Sequence, residues 1–220
     1  MLAARKKGFG MFNDLIVELD PPPNRQGAGT GTKEKHLTEA AVMLAYGMHL
    51  LRTVPELRKI ELFPDGEHGK RFKIANWLST HGFTLQESWG KTTYCGNWTG
   101  EAGSIIVASI PGHGDVVAET GQGMIIAECK GGIVNTKQSG PTSRLRRGLC
   151  EAVGLLMARP KSGRQVAVVP YTESTLKLAK KLISRARDAA IEIALVDEKG
   201  RVFDISPIED GVEKALLATS

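Results

Sequence analysis

Twelve residues separate Asp115 from the run Glu128-Cys129-Lys130-Gly131-Gly132, a spacing that suits neighbouring strands. Asp115–Glu119 and Met124–Lys130 read as two strands joined at Thr120-Gly121-Gln122-Gly123, whose glycines supply the positive φ of a tight hairpin. Alternation along the second strand puts Met124, Ile126, Glu128 and Lys130 on one face. Met124-Ile125-Ile126-Ala127 is apolar on both faces, as in a buried central strand. Burying an acid and an ammonium on such a strand costs several kcal/mol per ion unless they are paired or bind something. A divalent metal shared by Asp115 and Glu128, with Lys130 as a cation beside it, meets that requirement. The alternative is an ordinary pair of Glu128 and Lys130 on a solvent-facing strand, worth under about 1 kcal/mol, with Asp115 a turn residue.

The elements that must hold these residues follow from periodicity and from chain breakers. Leu15–Leu19 is a short strand, and the prolines from Pro21 to Pro23 with the glycine-rich run Gly27 to Gly31 read as a linker. His36–Arg52 reads as a helix with Leu37, Ala41, Leu44, Met48 and Leu51 on one side and Met43, Tyr46 and Leu50 on the other. A helix apolar nearly all round is buried on two sides, within the chain or at a subunit contact, and the second option admits a homodimer. Leu57–Phe63 is a strand, and Pro64 to Lys70 leads into a helix ending near His81, with Asp65 as N-cap. On that helix Glu67 projects from nearly the same side as Ile74 and Leu78.

Phe83–Ser88, Lys91–Tyr94 and Ser104–Ile110 read as strands between glycine-rich turns. Trp89, Tyr94 and Trp98 offer faces for base stacking, with packing the expected role of at least two. After Lys130 a helix from Thr142 to Ala158 turns Leu145, Leu149, Ala152, Val153 and Leu156 inward and Arg144, Arg147 and Glu151 outward. Gln165–Pro170, Glu173–Asp188 and Ile191–Asp197 form a β-α-β unit, which favours parallel pairing. The resulting order is helix, three antiparallel strands, helix, strand, helix, strand.

An Asp on one strand and Glu-x-Lys on the next, here Asp115, Glu128 and Lys130, resembles the PD-(D/E)xK nuclease superfamily. Pro111 stands four residues before the Asp. The stretch looks most like the methylation-dependent restriction endonucleases and archaeal Holliday-junction resolvases, whose helix ending in Gly-aromatic is echoed by Trp77 to Phe83. The likeness runs from roughly Glu67 to Met157. It implies an α/β fold, a restriction-endonuclease-like α-β-β-β-α-β sandwich with an added N-terminal helical segment. Residues 1–55 would be the extension and helix, and 56–220 the nuclease-like domain.

The resemblance also implies a Mg²⁺-dependent DNA endonuclease of restriction, defence or repair, with Mn²⁺ able to substitute. Asp115, Glu128 and the carbonyl of Cys129 would be the hard oxygen ligands, and Lys130 would orient or deprotonate the attacking water. A glutamate from the first helix joins such sites: Glu67 is the candidate, with Glu39 on the earlier helix as a second. The alternative role for Glu67 is an acid favoured by the dipole at a helix start. Lys137, Gln138, Arg144 and Arg147 would hold phosphates, or form an ordinary solvated face. Two alternatives keep the fold but change the function: the same chemistry on RNA or a junction, and a DNA-binding subunit without turnover.

Composition sets wider bounds. With 220 residues, 41% hydrophobic and 24% charged, the chain can bury a sizeable core. A net charge of +5 permits a polyanionic partner without requiring one. Cys95, Cys129 and Cys150 lack the spacing of a zinc site or a disulfide framework. No stretch approaches a membrane span and Met1–Gly10 lacks a signal-peptide core, so the reading is a cytoplasmic protein without a membrane partner.

Overall fold

The computed structural model describes residues 12–22, 33–65, 71–109, 113–161 and 163–206. Strands β1 (Ile16–Leu19) and β2 (Glu34–Leu37) precede helix α1 (Glu39–Thr53). Then come β3 (Lys59–Leu62), α2 (Ile74–Thr80), β4 (Thr84–Ser88), β5 (Gly96–Gly100) and β6 (Gly103–Val107). The second half holds β7 (Val116–Thr120), β8 (Gly123–Cys129), β9 (Gly132–Ile133), α3 (Ser139–Met157), β10 (Gly163–Pro170), α4 (Glu173–Asp188), β11 (Ile191–Val196) and β12 (Val202–Asp204).

Among the described residues the strands make a nine-stranded mixed sheet, ordered β12-β11-β10-β8-β7-β3-β6-β5-β4, and a small sheet, β1-β2-β9. Neighbours β3, β7 and β8 are antiparallel, while β8, β10 and β11 run parallel. Parity along the parallel strands sorts the side chains into two layers. Ile125, Ala127, Val166, Val168, Ala194 and Val196 pack with α1 on one face. Ile126, Ala167, Val169, Ile193 and Leu195 pack with α3 and α4 on the other. The chain is therefore an α/β molecule with helices on both faces of a large mixed sheet. Helix α1, assigned from sequence to the segment 1–55, shares its core with strands from 56–220.

Most elements stand where periodicity put them, and the departures have local causes. The helix expected from His36 begins at Glu39, because His36 and Leu37 pair with Ile133 and Gly132 in β9. Thr38 caps the helix, its Oγ1 accepting from the Ala41 amide at 3.2 Å. Ala40 to Met48 are buried inside the chain itself, which accounts for the all-round apolar pattern.

The helix expected to run unbroken to His81 is interrupted at Phe72 and Lys73, and Lys73 is the N-cap of α2. Phe72 and Ile74 are both buried. On a continuous helix they would point about 200° apart, so the break lets both face the core. Glu67 and the glycine-rich linker lie outside the described residues.

Lys91–Tyr94 is a turn rather than a strand, supported by the Cys95 amide donating to Thr92 Oγ1 at 3.2 Å. Trp98 and Tyr94 are buried, and the indole of Trp98 donates to the Tyr94 carbonyl at 2.9 Å. Trp89 packs partly buried against the same core, so the aromatic residues serve packing rather than stacking. Among the described residues no helix is long and apolar enough to cross a membrane.

Candidate functional site

The hairpin of β7 and β8 positions the acids. Val116 pairs with Ala127, and one step further the Asp115 amide donates to the Ala127 carbonyl at 2.9 Å. The Asp115 carbonyl accepts from the Phe63 amide at 2.9 Å, which ties the loop before β7 to the end of β3. Asp115 thus stands opposite Glu128. Its Oδ2 accepts from the Cys129 amide at 2.7 Å.

Glu128 lies on the Ile126 face of β8, toward α3, and is only 3% exposed. The solvent-facing alternative for this strand is thereby removed. The charge partner of Glu128 is Arg159, just past the end of α3, whose guanidinium bonds its Oε1. Lys130 pairs elsewhere: its Nζ is 3.7 Å from Glu39 Oε2 and 3.5 Å from Glu151 Oε1.

Two glycines make the gathering of these groups sterically feasible. A Cβ on Gly131 would collide with the backbone of Leu37, Thr38 and Glu39. The chain leaving Lys130 therefore runs hard against the β2–α1 junction, and that approach brings Glu39 beside Lys130. On α3, a Cβ on Gly148 would come within 3.1 Å of Lys130 Cβ, so the bare helix surface there accommodates the lysine stem.

The electrostatics record the crowding of acids. Burial, with the charges of Glu128 and Glu39, pushes the Asp115 carboxyl up to about 7, against the lowering effect of the Cys129 hydrogen bond and of Lys130. Desolvation alone would lower the Lys130 ammonium. The carboxylates of Glu39, Asp115, Glu151 and Glu128 outweigh it and hold Lys130 above its ordinary value. The Cys129 thiol is wholly buried on the α1 face, and burial drives it far above the ordinary range, so it contributes neither a nucleophile nor a thiolate ligand.

A cleft of about 460 Å³ opens beside this cluster. Glu39 and Gly131 form part of its wall, Arg71 and Arg144 bring positive charge, and Val17, Leu37 and Ile133 line it with apolar surface. Of the residues expected to hold phosphates, Arg144 borders the cleft, whereas Lys137 and Arg147 are exposed and stand outside its lining. Gln138 is the N-cap residue of α3, with no capping bond from its side chain.

Of the two helix acids, the structure brings Glu39 to Lys130, while Glu67 lies outside the described residues. Sequence reasoning missed Arg159, for which a lone arginine before Pro160 offers no signal. It also read Glu151 as a simple outward residue of α3.

The donor set suits a hard divalent ion: carboxylates gather in a partly buried place, and the raised Asp115 shows that its negative charge is under-compensated. As the side chains stand, no three acidic, histidine or cysteine groups among the described residues converge closely enough to hold a metal, because Glu128 is turned to Arg159. Neither family models, curated proteins nor solved structures match this chain.

Proposed function

We propose that the chain is a Mg²⁺-dependent endonuclease of the PD-(D/E)xK type, acting on DNA. The observation that carries this reading is Asp115 opposite a 3%-exposed Glu128, with Lys130 two residues on and Glu39 reaching it from α1. The order α1, β3, β7, β8, α3, β10 supports it, being a helix, three antiparallel neighbours, a helix and a parallel strand. The basic rim of the adjacent cleft supplies a place for a phosphate backbone.

In this reading Asp115, Glu128 and the Cys129 carbonyl would hold Mg²⁺ or Mn²⁺, with Glu39 as the helix acid. The ion would supply an activated water and charge neutralisation. Lys130, kept protonated by its acid neighbours, suits stabilising charge on the scissile phosphate better than accepting a proton. Arg144 would bind a phosphate from across the cleft.

The test is supercoiled plasmid with Mg²⁺ or Mn²⁺ against EDTA: nicking with the metal and none with the chelator is the expected result. Undiminished cleavage in EDTA removes the metal mechanism. One observation favours a second reading, a nuclease-fold DNA-binding subunit without turnover, namely the engagement of Glu128 by Arg159. Plasmid retarded on a gel but never cut with either metal selects it. Parallel single-stranded RNA and four-way-junction substrates separate the remaining choices of nucleic acid.

A further inference from the structure

The Glu128–Arg159 pair joins two residues with unequal access to water. The Glu128 side chain is 4% exposed and the Arg159 side chain 31% exposed. Arg159 Nε is buried without a hydrogen-bond partner. A buried donor left unmade costs about 1–3 kcal/mol, so the guanidinium sits in an incompletely satisfied place from which it has a route to solvent. Glu128 has none: with the arginine gone it would be a buried carboxylate, a few residues from the acids that already raise Asp115. That state is strongly unfavourable unless another cation arrives.

We propose that Arg159 is a positioning latch on the acid site, holding Glu128 in the metal-free protein and released to solvent when a divalent cation takes its place. The inference rests on the nuclease reading and deepens it, since it makes cation binding and the Glu128–Arg159 bond mutually exclusive. Arg159 lies just beyond the C-cap Ala158, its amide bonded to the Leu156 carbonyl at 3.1 Å. The next residue, Pro160, accepts from Gln165 at 3.1 Å. The main chain on both sides is therefore anchored, and release requires only side-chain rotation. No bond is made or broken covalently, and the exchange is of one cation for another on the same carboxylate.

Mn²⁺ titration followed by the electron paramagnetic signal of the free ion tests the latch on the whole protein. Arg159→Gln should bind Mn²⁺ about tenfold tighter than wild type, because the competing cation is gone. Arg159→Lys, which keeps a charge but not the planar fork, should fall between them. The gain should vanish when Glu128→Gln is added. In wild type the Arg159 Nε–H resonance, protected in EDTA, should exchange rapidly with water once Mg²⁺ is bound, a readout that does not depend on any variant folding.

Equal Mn²⁺ affinity in wild type and Arg159→Gln, a gain that persists with Glu128→Gln, or an unchanged Arg159 resonance in Mg²⁺-bound wild type overturns the latch and leaves the nuclease reading standing. Failure of wild type and all variants to bind Mn²⁺ overturns the nuclease reading, and the latch with it.

Discussion

Strands β8 and β10 lie side by side in parallel register, with Ala167 of one opposite Glu128 of the other. Both are buried on two faces. In β10 the residues Val166, Ala167, Val168 and Val169 are all fully buried and all apolar. In β8 the same kind of surface runs through Ile125, Ile126 and Ala127 and then changes to Glu128, with Lys130 just past the strand. Nothing about a central parallel strand calls for that change, as β10 demonstrates. A buried ion at best breaks even against an apolar residue of similar size, so the charge on β8 is a cost to the fold. It is met by Arg159, Glu39 and Glu151, brought from elsewhere in the chain. Two adjacent strands thus divide the work, one holding the core and the other holding the chemistry.

Substitutions on the charged side should break function and spare the fold. Asp115→Ala and Glu128→Ala are each expected to lower plasmid cleavage on the order of a thousandfold, with the far-ultraviolet circular dichroism spectrum retained. A rate near wild type in either variant would take that residue out of the site. Next in size, Lys130→Ala should cost roughly a hundredfold in turnover while DNA affinity, read by fluorescence polarisation, changes by less than about threefold. A large loss of affinity without loss of turnover would make Lys130 a binding residue instead.

Substitution on the apolar strand should do the reverse. Val166→Ala removes two methyl groups from the α1-side core and is expected to cost about 2 kcal/mol, read by urea unfolding, with cleavage below the melting temperature unchanged. The smallest effect concerns pH in the metal-free protein. The folded Asp115 carboxyl titrates at about 7, well above its unfolded value. The folded state therefore holds that proton more tightly, and the stability it contributes is complete below the unfolded pKa and lost as pH rises through about 7. Asp115→Asn cannot ionise and keeps an acceptor for the Cys129 amide. In EDTA it should match wild type near pH 4 and exceed it on the order of 1–2 kcal/mol at pH 8. Equal stability at pH 8 would show that the acid cluster is already fully compensated.

Much of the site was legible because its logic is local. The hairpin announced itself through Thr120 to Gly123, and Thr120 pairs with Gly123 across the turn. Period-two alternation placed Glu128 and Lys130 together with Ile126, and the structure keeps them on the α3 face. The β-α-β unit from β10 to β11 was equally readable, since a crossover helix dictates parallel pairing. The helix acid was less readable. Glu67 had the better position relative to the expected motif, whereas Glu39 meets Lys130 only because the main chain at Gly131 crosses the start of α1.

The amino-acid sequence by itself determined the elements, the hairpin and which β8 side chains share a face, because backbone periodicity and turn chemistry act over a few residues. The tertiary structure alone decided that β3 rather than β6 lies beside β7. It alone decided that Glu39 reaches Lys130, and that Arg159 answers Glu128 from 31 positions away. Those choices are made by how separate apolar faces stack and by which remote charge must neutralise a buried one, and neither leaves a period in the chain.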